Sequence, residues 1–261
     1  MTYAEVNGVS LWYEEHGEGE PLVLLHGGFW TVEMFGAFLP ALAERRRVVA
    51  VELQGHGHTP DAGRPLRYET CADDVAALVG VLGFDQADVV GYSLGAGTAI
   101  RVAVQHPDVV RRLVVISTPV RRAGWFPEVL AGMAQLGPEA AEGMKASPLY
   151  AAYAKVAPRV EDWPVLATKL GELLRRDYDW SPEAARIRAR TMLVYADADS
   201  VPPAHIAEFY ALLGGGLRDA DWDASKRVAS RLAIIPGRTH YDITEAPSLP
   251  GLIEEFLTDP H

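Results

Sequence analysis

Residues 89–97 read V-V-G-Y-S-L-G-A-G. The apolar run that starts at Ala87, broken only by Asp88, stops here. From Leu94 to Val104 small and apolar residues continue on a helical repeat. A lone serine, Ser93, therefore stands between two glycines where strand periodicity gives way to helix periodicity. Ending a strand and starting a helix within two residues forces the backbone between them into a sparsely populated conformation. Side chains two positions to either side would collide with the turn, which accounts for Gly91 and Gly95. Such a turn lifts the Ser93 hydroxyl off the sheet edge and aims the first helical N–H groups at the same point. The stretch predicts a nucleophile rather than an ordinary tight turn.

Working outward, T-Y-A-E-V and V-S-L-W-Y-E-E alternate in polarity around Asn7-Gly8, a favoured hairpin turn. P-L-V-L-L-H-G (21–27) and R-V-V-A-V-E-L (47–53) are too uniformly apolar for half-exposed strands and suit the centre of a parallel sheet. Further strands are expected at 87–92, 113–118, 191–197 and 231–237. Helices are expected at about 33–44, 69–82, 94–105, 203–213 and 247–257, with Gly83 placed to end the second. Strands alternating with helices predict an α/β fold: a mostly parallel sheet of about eight strands with helices on both faces.

The alternation fails between Thr118 and Arg190, where prolines recur at 127, 138, 148, 158, 164 and 182. Short helices between these breaks are the natural reading, with Asp162 before Pro164 and Ser181 before Pro182 as helix starts. Residues 119–189 are thus read as a helical cap inserted into a core formed by 1–118 and 190–261, with a second small domain of its own core as the alternative. Trp125, Phe126, Met133, Tyr150, Tyr153 and Trp163 are its candidate substrate-binding residues, since aromatic and Met side chains line adaptable apolar pockets. Packing of the cap onto the sheet is the competing use for them. A second insertion, 213–225, is a Gly/Asp-rich loop.

A serine hydroxyl is a poor nucleophile at neutral pH and needs a base, which in turn needs an orienting acid. His240 lies just beyond the last predicted strand, at the carboxyl edge of the sheet where open α/β sheets bind ligands. Y-A-D-A-D-S-V-P-P offers two acids, Asp197 and Asp199. Asp199, further from the strand end, is freer to reach across, while Asp197 suits bracing of the turn. Leu94 supplies one backbone donor for an oxyanion, and Gly28 or Phe29 the other. His26 reads as a loop brace. His56 and His58 have no Cys or carboxylate cluster of ligand spacing around them, so no metal is expected. His16 and His205 are expected at the surface, and Cys71 has no partner histidine.

The chain has 261 residues, 49% of them hydrophobic, with a formal charge of −11 and a single cysteine. That balance argues against nucleic acid or an anionic membrane as partner. One cysteine permits no internal disulfide. No basic stretch followed by an apolar core marks the N-terminus, and no run spans a bilayer. The expectation is a cytoplasmic protein.

L-L-H-G-G, E-L-Q-G-H-G-H-T, G-Y-S-L-G, Y-A-D-A-D-S-V-P-P and P-G-R-T-H together resemble the α/β-hydrolase superfamily, in its order and at its usual spacings. The resemblance runs from about residue 20 to 257, with 119–189 as the variable cap. It implies the Ser93, Asp199, His240 order of a catalytic triad. The family's G-x-x-D-x-x-x-P acid position falls on Asp199 and Pro203, with Ala196 in place of the usual glycine. Dehalogenase and epoxide-hydrolase members carry aspartate where Ser93 stands. Prolyl peptidases continue H-G-G with P-G, whereas Phe29-Trp30 follow here. The set most resembles the small serine esterase, lactonase and cofactor-free haloperoxidase-like branch. It implies a serine hydrolase acting with water on a small, apolar carboxylic ester or lactone, with no cofactor. C–C bond hydrolysis, perhydrolysis, and a non-hydrolytic receptor or cyclase are the alternatives on the same scaffold.

Overall fold

The computed structural model describes residues 2–260. Eight strands form one sheet in the order β1-β2-β4-β3-β5-β6-β7-β8. The hairpin β1 (Thr2–Val6) and β2 (Val9–His16) turns at Asn7-Gly8, and β2 pairs antiparallel with β4 (Arg46–Val51). All other pairings, through β3 (Glu20–Leu25), β5 (Ala87–Tyr92), β6 (Val110–Ile116), β7 (Arg190–Ala198) and β8 (Arg231–Thr239), are parallel. The central strands are apolar because both of their faces are covered. Val23 and Leu25 point into a cluster with α2 (Tyr68–Val81) and α3 (Leu94–Gln105), while Leu22 and Leu24 point into one with α1 (Phe38–Ala43).

The exception in the centre of the sheet is Asp88, fully buried in β5. Its carboxylate accepts hydrogen bonds from Arg46 (3.2 Å) and from Arg111 (2.9 and 2.8 Å). Arg46 also reaches Glu254 on α10 (Leu249–Thr258). A buried charge is tolerated when it is paired and hydrogen-bonded, as here.

Between β6 and β7 lie five helices: α4 (Pro127–Ala134), α5 (Pro138–Gly143), α6 (Pro148–Val156), α7 (Trp163–Arg175) and α8 (Ser181–Ala184). Each has proline in its first two positions, where a missing N–H costs nothing. Asp162 precedes α7 as expected but makes no side-chain cap bond. Ser181 is the first residue of α8, as expected, and the carboxylate of Asp179 accepts the Ser181 N–H at 2.9 Å.

Two expected elements differ. The helix expected at 33–44 is a 3-10 turn, Val32–Phe35, followed by α1, because Gly36 at φ +51° breaks the chain direction between them. The strand expected at 113–118 starts at Val110 and stops at Ile116, where Ser117 turns away at φ +56°. The helix α9 (Pro203–Leu212) joins β7 to the loop before β8. No helix among the described residues is long and apolar enough to cross a membrane.

Candidate active site

Ser93 sits between the last residue of β5 and the first of α3, at φ +52° and ψ −112°. A non-glycine residue held there carries strain on the order of 1–3 kcal/mol, which the surroundings must impose. They do so by crowding. A Cβ on Gly91 would lie 2.2 Å from the carbonyl oxygen of Gly95, and one on Gly95 would lie 2.3 Å from that of Leu25. The Gly95 N–H donates to the His26 carbonyl (2.9 Å), and the Ser93 N–H to that of Ile116 (2.9 Å), so strands on both sides grip the turn.

The Ser93 hydroxyl oxygen is 3.1 Å from Nε2 of His240. Nδ1 of that imidazole is 3.3 Å from Oδ1 of Asp199. The β7–β8 pairing produces this meeting. After an irregularity at Ala196/Ala198, the register resumes as Ala198 opposite Thr239, so the next residue of each strand, Asp199 and His240, emerges side by side. Asp197 stabilises the irregular step, its carboxylate accepting the N–H groups of Gly237 (2.9 Å) and Arg238 (3.3 Å). Of the two acids in Y-A-D-A-D, geometry puts Asp199 against the histidine and Asp197 in the brace.

Asp199 is held by more than the histidine. Ser117 donates its hydroxyl to Oδ2 at 2.6 Å, and the N–H groups of Ala196 (3.0 Å) and Ser200 (2.8 Å) also donate to the carboxylate. Burial pushes its pKa up, but the bonds from His240, Ser117 and Ala196 outweigh that and leave it below the ordinary carboxylate value. Asp199 is therefore an anion aimed at Nδ1 of His240. Ser117 escaped the sequence reading because it appears as a strand-terminal residue. Only its positive φ turns the hydroxyl onto the acid.

The loop after β3 faces the same point. The Gly27 carbonyl accepts the Trp30 N–H at 3.2 Å, which leaves Gly28 and Phe29 at the centre of a tight turn. Phe29 is at φ +63°, a second strained non-glycine residue beside Ser93. The Leu94 N–H, first in α3, has no intrahelical acceptor. Gly28 and Phe29 follow Gly27, where an added Cβ would lie 3.6 Å from the Cβ of Ser93. Tyr92, which the sequence reading passed over, donates its hydroxyl to the His240 carbonyl at 2.7 Å.

His26 braces this loop as expected. Its Nδ1 is 2.7 Å from the Gly27 carbonyl and its Nε2 accepts the Leu53 N–H at 3.0 Å. Burial lowers its pKa to about 4, which keeps it neutral. His56 packs 4.9 Å from His26, with burial lowering its pKa to about 3. His58 is 3.0 Å from the buried carboxylate of Glu52 and stacks on Trp12. Among the described residues no cluster of three potential ligands could hold a metal. Cys71 is buried, and burial pushes its thiol up to about 12, so it is no nucleophile at neutral pH.

One histidine expectation is corrected. His205 is 6% exposed rather than at the surface. Its Nε2 accepts the Val120 N–H (3.2 Å), because the 119–124 segment crosses α9 where Gly124 leaves room for the ring. His16 lies at the surface as expected, its side chain 39% exposed and Nε2 2.8 Å from Glu14.

The aromatic residues between β6 and β7 divide. Trp125 meets the His240 ring at 5.6 Å, nearly perpendicular. Trp163 meets Phe29 at 5.0 Å, but it is fully buried and its indole N–H is bonded to the Ala141 carbonyl (2.9 Å). Tyr150 and Tyr153 pack around Trp163, at 5.4 and 5.1 Å. Phe126 and Met133 are half-buried at α4, and neither makes a ring contact with these groups. Leu170 of α7 lies over the loop after β3, 3.3 Å from where a Cβ on Gly28 would be.

Residues 20–217 match the family described as the alpha/beta hydrolase fold. The chain belongs to that family. It is 36% identical over 113 residues to a soluble epoxide hydrolase of Corynebacterium sp., covering 43% of this chain and 40% of that one. It is 36% identical over 136 residues to a pimeloyl-[acyl-carrier protein] methyl ester esterase of Aeromonas hydrophila, covering 49% and 52%. The matched stretch thus spans about half or less of these curated relatives. Among solved structures, the enol-lactonase of Burkholderia xenovorans LB400 superposes with a TM-score of 0.72 at 24% identity, over 98% of this chain and all of that one. That likeness concerns the fold.

Proposed function

We propose that the protein hydrolyses a carboxylic ester or lactone of a small, apolar substrate through an acyl-enzyme at Ser93. The observation that carries this reading is the unbroken line Ser93 Oγ, His240 Nε2, His240 Nδ1, Asp199 Oδ1, with steps of 3.1 and 3.3 Å. Ser93 Oγ attacks the carbonyl carbon while Nε2 of His240 takes its proton, and the Asp199 anion stabilises the imidazolium. The N–H groups of Leu94 and of Gly28 or Phe29 receive the negative oxygen. Collapse of the tetrahedral adduct releases the alcohol with the proton held by His240. Water then attacks the acyl carbonyl by the same route and frees Ser93.

Ester chemistry is supported by the likeness to a methyl ester esterase. In this reading residues 119–189 form the cap, and Trp125 and Leu170, nearest His240 and Gly28, face the substrate. The apolar character of both favours an apolar acyl or alcohol group.

The test is turnover of p-nitrophenyl esters of increasing acyl length by the wild type and Ser93→Ala. The wild type should turn over at least one of them, and the substitution should lower kcat by about 10³-fold or more. The preferred length would size the pocket. Equal rates for the two proteins, or no turnover by the wild type, would contradict the reading.

A further inference from the structure

We propose that Tyr92 is a positioning residue for this reaction, fixing the backbone of the general base against the nucleophile. The inference rests on the acyl-transfer reading above. Tyr92 immediately precedes Ser93, yet its side chain reaches the other two parts of the site. Its hydroxyl donates to the carbonyl of His240 at 2.7 Å, across 148 residues of sequence. Its ring packs so closely on the start of the oxyanion loop that a Cβ on Gly27 would stand 2.7 Å from Cε1. The same ring meets Trp30 at 4.8 Å and the His240 imidazole at 5.5 Å. Nucleophile, base and oxyanion loop are thereby referred to one rigid side chain, 3% exposed.

His240 depends on that contact because its other restraints act elsewhere. The loop tip is braced within itself: the Asp242 carboxylate accepts the Thr239 N–H (2.6 Å) and hydroxyl (2.7 Å). Asp197 pins the strand further back, at Gly237 and Arg238. Neither reaches the backbone of His240 itself. The bond between Nδ1 and Asp199, at 3.3 Å, is long for a charge-assisted contact and leaves the ring room to shift. Burial raises the Tyr92 phenol well above its ordinary pKa, so the hydroxyl stays a donor throughout the working pH range. A displacement of about 1 Å in a reacting group costs on the order of 10²-fold in rate.

The test removes one oxygen. Tyr92→Phe retains the ring contacts and should melt within about 5 °C of the wild type. With p-nitrophenyl acetate its kcat should fall roughly 10- to 100-fold at a KM unchanged within about twofold. The same substitution is then made in a His240→Ala background, which keeps the His240 carbonyl but lacks the base. There it should change the residual rate by less than about twofold, because the hydroxyl acts only through the imidazole. The rate at which a fluorophosphonate labels Ser93 should follow the same pattern. A Tyr92→Phe enzyme with wild-type kcat would overturn the proposal. So would an equal loss in both backgrounds, with or without a lowered melting point, since that is the signature of a general structural role. If the wild type neither labels at Ser93 nor turns over the ester, the acyl-transfer reading itself falls. Labelling that Tyr92→Phe leaves untouched sinks the role of Tyr92 alone.

Discussion

Ser93 holds its position because Gly91 and Gly95, two residues to either side, have no side chains where the backbone closes in. At Gly95 an added Cβ would meet the Leu25 carbonyl oxygen and carbon at 2.3 and 2.5 Å and the His26 carbonyl oxygen at 2.7 Å. Backbone of a central strand cannot yield as a flexible side chain would. Gly95→Ala should therefore destabilise the fold by at least about 3 kcal/mol in urea unfolding and remove esterase activity together with it. An unchanged midpoint would mean that the elbow is looser than its packing indicates. At this scale much of the site was legible in the sequence. Ser93 and His240 follow from motif and strand position, and Asp199 from its greater reach. Ser117 and Tyr92 were not legible, because their contribution depends on a backbone kink in one case and a contact across 148 residues in the other.

The elements that shape the loop after β3 are two turns held together by buried polar groups. Glu52 accepts the Val32 N–H with one oxygen (3.0 Å) and the His58 N–H and Nδ1 with the other (2.5 and 3.0 Å). It fills the space above Gly57, where a Cβ would lie 2.1 Å from the carboxylate. His26 and His56 complete the anchorage as neutral rings. In the unfolded chain each takes up a proton near its ordinary value of 6.5, while the folded protein resists to about 4 and about 3. Between those limits the unfolded state binds more protons, so this contribution is full above about pH 6.5 and is lost as pH falls below it. For His26 the difference corresponds to about 3 kcal/mol. Urea unfolding should accordingly show stability falling from pH 7 to pH 4.5, with a flatter profile in His56→Gln. A pH-independent unfolding free energy over that range would contradict the assignment. The glycine-rich turns were readable as turns, but the single helix expected at 33–44 was not broken by any periodicity. Its interruption comes from Gly36 taking a positive φ.

Over the whole molecule, alternation of apolar runs specified the sheet and its mostly parallel sense, because both faces of the centre are covered. The same rule was silent on how the helices between β6 and β7 would lie. Their seam with the sheet is partly ionic. Lys169 of α7 donates to both oxygens of Asp61 (2.6 and 2.7 Å), and Lys155 of α6 to both oxygens of Glu33 (2.9 Å each). Charged residues far apart in sequence give no periodic signal, so these contacts could not be foreseen. The proposed acyl-enzyme at Ser93 reduces to one covalent bond. Rapid acid quenching of the wild type during p-nitrophenyl acetate turnover, followed by peptide mass spectrometry, tests for it directly. The account predicts an acetyl group on the peptide containing Ser93, formed with the first release of p-nitrophenol and lost on further incubation. Product release with no acetylated peptide, or acetyl on another residue, would contradict it.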